Sequence, residues 1–405
     1  PPDLLRVLQA RLDYITRITE QSSNTYILEN GMRVAVKRSE LIEYFKYIIV
    51  AIRKDRWVAN LFYRLADKNT RNGIQIFEDF CKSGHMKEKD ILAMRVLGDD
   101  AQIPAYRFEN VLLRKNRRFY NGDESNFVNL FASDYNDDFP DPFVRADILN
   151  WLYQVQALSG PTGDKGLFQV SELARSLQVY GHSLAVIYRE LAYLARKNLV
   201  LCENSAMPIE EGDLVKITIP GALHLQMLRN VSYLSACAED TLFKNTEVMT
   251  RISNRLKFHE SDSKLVVALN ARDLVNYLIE YRKEYLTNSD ELVSEKAIIS
   301  SVDLNDSLHA VEQWIQADEN LKKTISEIDY FTVDMDVDAC VVSKNSGGVV
   351  CTIADKDVKG FISSLEPKYS FPRDVYSKIK PGDILKCKVM EFDFTHRSFQ
   401  LKYLN

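Results

Sequence analysis

The chain has 405 residues, 46% of them hydrophobic, 27% charged and 10% aromatic. That is material for two to four domains with real cores, and it excludes a largely disordered chain. No stretch of uncharged apolar residues is long enough to span a bilayer, so no membrane is expected.

The opening Pro1-Pro2-Asp3-Leu4-Leu5-Arg6 has no Met and none of the basic and apolar regions of a secretory signal, and it reads as a cut end. The formal charge of −5 divides unevenly: +7 over residues 1–120, −14 over 121–334 and +2 over 335–405. A basic head, an acidic middle and a near-neutral tail imply modules with different electrostatic roles, or a head and middle packed together. The six cysteines (Cys81, Cys202, Cys237, Cys340, Cys351, Cys387) form no C-x-x-C pair and have no His at ligand spacing, so no metal site is expected. Scattered thiols suit a reducing cytoplasm.

In chain order, Leu4, Leu5, Leu8, Leu12, Ile15 and Ile18 mark one apolar face of a helix over 4–20. Further helices are predicted at 39–54, 56–66 and 70–83, so residues 1–100 read as an all-helical domain. Residues 101–135 read as a connector of short strands and turns, with Asn121-Gly122-Asp123 as its hairpin signal. From 136 to 220 the order is helix 142–158, the short strand Gly166-Leu167-Phe168-Gln169, helices 171–178 and 183–197, and two β-prone runs, 199–202 and 214–219. That is the order of a winged helix-turn-helix. An acidic helical domain over 221–330 follows, with amphipathic segments at 221–237, 240–258, 264–286 and 305–325.

The tail, 335–405, changes period. Strands are predicted at 337–343, 348–354, 358–364, 383–392 and 398–403, with one long connection after the third. Five short strands so spaced suit a small closed OB-type barrel. The fold class is therefore multidomain and mainly α, with a C-terminal five-stranded β-barrel.

Two resemblances add to this. In the tail, Gly348-Val349-Val350-Cys351-Thr352-Ile353, Val358-Lys359-Gly360-Phe361-Ile362-Ser363-Ser364, the run Lys380 to Val389 and the run Asp393 to Leu401 resemble an S1 domain. The resemblance implies a single-stranded RNA partner, bound by aromatic stacking. At the three positions where that family places its aromatic platform, this chain has Gly347, Val350 and Ser363. Phe361 remains as one ring, and Lys344, Lys359, Lys386, Lys388 and Arg397 as candidate phosphate contacts.

The second resemblance covers the first 220 residues. Val7 to Ile15, Lys68 to Phe77, Phe80 to His85, Asn126 to Phe131 and the winged helix are similar to the part of a bacterial AAA+/STAND-type P-loop ATPase that follows its nucleotide-binding core. The resemblance implies a helical lid, with Arg71 as a nucleotide-sensing arginine and Asn69 beside it at the helix start. It also implies an upstream ATPase core or partner protein, ATP and Mg²⁺ held by that core, and assembly into homo-oligomers.

This chain carries no G-x-x-x-x-G-K-[ST] and no Walker B strand, so no cofactor, catalytic residue or enzymatic activity is expected of it alone. Gly160-Pro161-Thr162-Gly163-Asp164-Lys165-Gly166 mimics a phosphate loop, but Asp164 stands where the lysine is required, and it reads as a turn. Duplex DNA is not an expected partner. The second helix of the winged motif is mostly apolar, and Glu203, Glu210, Glu211 and Asp213 in the wing would repel phosphates. The strongest basic cluster, Arg114, Lys115, Arg117 and Arg118, is a candidate nucleic-acid contact. Three functions follow: the regulatory half of an ATPase that couples nucleotide state to a partner such as RNA, a stand-alone nucleic-acid-binding protein, or a protein interaction scaffold.

Overall fold

Short polar side chains set the helix starts. In the computed structural model, which describes residues 4–18, 23–27, 33–86, 93, 96, 103–134, 140–204, 208–258, 263–285, 291–293, 298–353, 358–365, 371 and 373–404, the Asp55 carboxylate accepts from the amides of Trp57 and Val58. The Asn69 amide oxygen does the same for Arg71 and Asn72. Such caps satisfy amides that have no partner within the helix.

The chain forms two units, residues 1–248 with 270–310 and residues 249–269 with 311–405. The first begins with α1 (Leu4–Ile18), the antiparallel hairpin β1 (Ser23–Ile27) and β2 (Arg33–Lys37), then α2 (Arg38–Lys54), α3 (Arg56–Ala66) and α4 (Thr70–Lys82). The hairpin corrects the all-helical reading of residues 1–100; Asn30-Gly31, a strong hairpin dipeptide, was its signal in the sequence. Leu4 of α1 lies so close to Gly73 of α4 that a Cβ there would fall 2.1 Å from the leucine side chain.

The connector also departs from its sequence reading. Residues 105–114 form a helix, α5 (Ala105–Arg114), and no strand forms among the described residues of 103–131. Phe108, Val111 and Leu112 sit at helical spacing and are fully buried, which outweighs any turn signal further on. The segment after α5 is stitched into the core: the Val128 amide donates to His224 Nε2 (2.9 Å), and the Leu130 amide to the Tyr233 hydroxyl (3.2 Å).

Next come α6 (Val144–Val155), β3 (Phe168–Gln169), α7 (Val170–Val179), α8 (Leu184–Arg196), β4 (Val200–Cys202) and β5 (Leu214–Ile217). The strands form a three-stranded sheet in the order β3-β5-β4. The segment expected to be one helix over 221–237 is two, α9 (Ile219–Met227) and α10 (Val231–Asp240), because Asn230 caps the second. α11 (Thr246–Phe258), α12 (Lys264–Tyr285), the hairpin β6 (Glu291–Val293) and β7 (Ile298–Ser300), α13 (Leu304–Gln316) and α14 (Glu319–Tyr330) follow. Asp318 caps α14 and so splits the helix expected over 305–325.

Buried charge ties the first unit together. Arg114 pairs with Glu239, whose other oxygen accepts from the Tyr120 amide at 2.7 Å. His182 bridges Asp141 (2.5 Å) and Asp147 (3.1 Å), and Arg282 of α12 lies 3.4 Å from the same Asp147 oxygen.

The tail forms β8 (Asp336–Asn345), β9 (Gly348–Ile353), β10 (Val358–Ser363), α15 (Arg373–Lys378), β11 (Ile384–Asp393) and β12 (Ser398–Tyr403). These strands close a barrel in the order β10-β12-β11-β8-β9, with β10 and β12 parallel and the other pairs antiparallel. This is an OB-like barrel, and closure leaves it no free sheet edge. Alternate residues point inward, so Val349, Cys351, Ile362, Cys387, Phe399 and Leu401 fill the interior. Gly360 is an inward position where a Cβ would meet Leu401 at 2.5 Å.

Candidate nucleic-acid interface

The alternation that fills the barrel fixes what it displays. On β10, Val358, Gly360 and Ile362 are buried, so Lys359 is exposed and Phe361 lies half-buried on the outer face. Phe361 stands opposite Val350 on β9 and Gln400 on β12. Its ring packs over Gly348, where a Cβ would fall 2.7 Å from the ring edge. Lys359 stands opposite Thr352. This face therefore offers one ring beside one exposed lysine with no ion-pair partner among the described residues, an arrangement suited to a base and its phosphate.

The remaining barrel cations are placed elsewhere. Lys386 and Lys388 lie on β11 opposite Asp338 and Asp336 of β8, and Lys388 reaches Asp334 at 4.0 Å and Asp336 at 3.9 Å. Their charge is matched by cross-strand carboxylates. Lys344 donates to the Tyr376 carbonyl and covers that ring at 4.3 Å. Arg397 is exposed in the β11–β12 turn with φ of 49°. Of the three positions where an S1 platform would stand, Ser363 is buried and accepts from the Leu365 amide, while Gly347 and Val350 are half-buried.

The basic cluster of the head is not one surface. Arg114 is 4% exposed and bonded to Asn110 and Glu239, so it faces the core; the expectation that it meets phosphate is corrected. Its charge was counted in the basic head, but its partner lies in the acidic middle. Lys115 approaches Asp79 at 3.8 Å, Arg117 pairs with Glu124, and Arg118 lies 5.0 Å over the Phe119 ring. Arg71 and Asn69 are both exposed at the start of α4, with Asn69 serving as its cap. The glycine-rich segment 160–166 is closed on itself: the Gly160 amide donates to Asp164 at 2.8 Å, and a Cβ at Gly160 would fall 1.6 Å from the Leu167 carbonyl oxygen.

On α8, Ile187, Glu190, Leu191 and Leu194 are buried, and Glu190 is held by Arg145 at 2.6 Å and Arg189 at 2.9 Å. That face of the helix is committed to packing. Among the described residues no group of His, Cys, Asp and Glu is arranged to hold a metal, and no helix is long and apolar enough to cross a membrane.

A feature that sequence reasoning missed lies at the turn between β11 and β12. The β11–β12 turn is pinned by Asp393, whose carboxylate accepts from the Thr395 amide (2.8 Å), the His396 amide (3.1 Å) and His396 Nδ1 (2.8 Å). Burial would raise the Asp393 carboxyl, but those bonds hold it below the usual carboxylate range. From this turn a chain of rings leads inward, Phe394 to Phe392 (5.1 Å), Phe392 to Phe399 (5.0 Å) and Phe399 to Phe331 (5.1 Å). Between the turn and α11 lies a groove of about 690 Å³, lined among others by Arg251, Asn254, Arg255, Phe394 and Gln400. The Arg255 guanidinium stands 5.9 Å from the centre of the Phe394 ring. The Phe392-Asp393-Phe394 alternation was visible in the sequence; its pairing with α11 was not.

No family model and no curated protein matches the chain. Among solved structures it is similar to the apo form of Mycoplasma genitalium RNase R, at 12% identity and a TM-score of 0.17, over 65% of this chain and 40% of that one. The same enzyme in complex with ribose-methylated single-stranded RNA matches at 13% identity and a TM-score of 0.18, again over 65% and 40%. The match spans about 40% of the length of that enzyme.

Proposed function

We propose that the chain binds single-stranded RNA through an S1-like barrel, and that its helical unit includes a winged helix that packs rather than reads duplex DNA. The observation that carries this reading is the OB-like barrel whose β9–β10 face displays Phe361 beside Lys359. In barrels of this type that face is the one that receives oligonucleotides. The absence of the full aromatic platform argues for modest affinity, with phosphate contacts supplying much of it. The test is fluorescence anisotropy of the full chain with a labelled single strand of about 12 nucleotides. Binding at about 50 mM salt that weakens toward about 200 mM is expected. Undetectable binding at the lower salt overturns the reading.

A second reading is favoured by exposed Arg71 in the first turn of the Asn69-capped helix α4. In it the helical unit is the lid and winged helix of an AAA+/STAND-like ATPase, and RNA binding is gated by nucleotide. The codons before Pro1 test it: a Walker A lysine encoded there supports the reading, and its absence removes it.

A further inference from the structure

We infer that a single strand lying on β10 continues across Gln400 into the groove between the β11–β12 turn and α11, where Arg251, Arg255 and Phe394 replace the aromatic platform that the strand face lacks. This rests on the reading of the barrel as an RNA surface.

Continuity comes from the register. Phe361 of β10 stands opposite Gln400 of β12, and Gln400 is itself part of the groove lining. Gln400 in turn stands opposite Glu391 of β11, and both line the groove together with Phe394. Chemistry comes from two elements. Arg251 and Arg255 are one helical turn apart on α11, so their side chains rise from the same face. Arg251 is exposed at the mouth, while Arg255 lies deeper, with its guanidinium near the Phe394 ring.

Guanidinium planes and aromatic rings are the two surfaces on which unstacked RNA bases settle, and a guanidinium at the rim also meets phosphate bidentately. Asn254 between them adds both a donor and an acceptor for a base edge. Two carboxylates share the lining with the arginines: Glu391, opposite Gln400 on β12, and Asp393, whose oxygens are bonded to the turn amides and to His396. The volume of about 690 Å³ suits one or two nucleotides and falls within the range of specific ligand sites.

The test compares groove variants with strand-face variants in the full chain, using a labelled oligoadenylate of about 12 nucleotides. Arg251→Glu and Phe394→Ala are each expected to weaken binding about tenfold or more. Arg251→Ala is expected to lower the slope of log affinity against log salt by about 0.7, the loss of one single-strand phosphate contact. Urea midpoints check folding, and if Phe394→Ala unfolds the chain, exposed Arg251 carries the decision. Groove variants that bind like the parent while Phe361→Ala loses affinity would overturn the inference and leave the RNA reading standing. Failure of the parent chain to bind at about 50 mM salt removes both.

Discussion

In the helical unit the charges that matter lie inside, whereas in the barrel they lie outside. Arg114 with Glu239, His182 with Asp141 and Asp147, and Arg145 with Glu190 all join segments distant in sequence. The barrel interior is apolar apart from its thiols, and its lysines stand on outward positions of the strands. The difference teaches that net charge along a chain does not report surface charge. Part of the basic head neutralises part of the acidic middle within a single core. A buried pair is also a commitment, because each ion has given up water and depends on its partner. An outward lysine opposite a neutral residue, as Lys359 is opposite Thr352, has given up little water and remains open to a ligand.

The largest expected effect breaks one of these commitments. Arg114→Met leaves Glu239 buried opposite an apolar side chain and the Tyr120 amide alone, and should cost about 3–5 kcal/mol in urea unfolding followed by circular dichroism. Burial pushes the Glu239 carboxyl up, against the pull of Arg114, so without the arginine it would take up a proton more readily. The double variant Arg114→Met with Glu239→Leu should recover most of the loss, because the uncompensated charge is gone. A single-variant loss below about 1 kcal/mol would show that the pair is not desolvated as described.

Two histidines of the same unit sharpen the contrast by responding to pH in opposite directions. Burial alone would lower His182, but its hydrogen bonds to Asp141 and Asp147 raise it to about 9. Its contribution is complete below the unfolded value of about 6.5 and is lost as pH rises through about 9, amounting to about 3 kcal/mol. His224 is pushed down by burial to about 4, with Nδ1 donating to the Pro220 carbonyl and Nε2 accepting from Val128. Its contribution is present above about 6.5 and is lost as pH falls through about 4, again by about 3 kcal/mol. Urea midpoints measured across this range should give a dome. His182→Gln should flatten the alkaline limb and His224→Gln the acid limb; limbs unchanged by these variants would contradict both assignments.

How much of this was legible in the sequence follows from the same division. The barrel strands could be read because a closed sheet imposes inward–outward alternation, interrupted only by a register shift in β8 and one in β11 among the described residues and broken by turns such as Asn345-Ser346-Gly347. Helix α5 was obscured because Arg107, Glu109, Asn110 and Arg114 are polar yet buried, so its apolar periodicity was diluted by residues whose partners lie far along the chain. Phe361 could be named in advance from the S1-like run, and Lys359 only as one of five barrel cations. Arg251 and Arg255 could not, since only tertiary packing brings a helix from the middle of the chain to the Phe394 turn.

The smallest expected effect separates two lysines that composition treats alike. Lys359 is exposed on β10 beside Phe361, opposite the neutral Thr352, whereas Lys388 on β11 stands within reach of Asp334 and Asp336. Among the described residues no carboxylate pairs with Lys359, whereas a bound phosphate must compete with two of them for Lys388. Lys359→Ala should therefore weaken RNA binding by a few-fold and lower the salt slope by about 0.7, while Lys388→Ala leaves both within error. Equal losses from the two variants would mean that the strand follows the basic residues of the barrel regardless of face, and that Phe361 and its neighbours do not set its path.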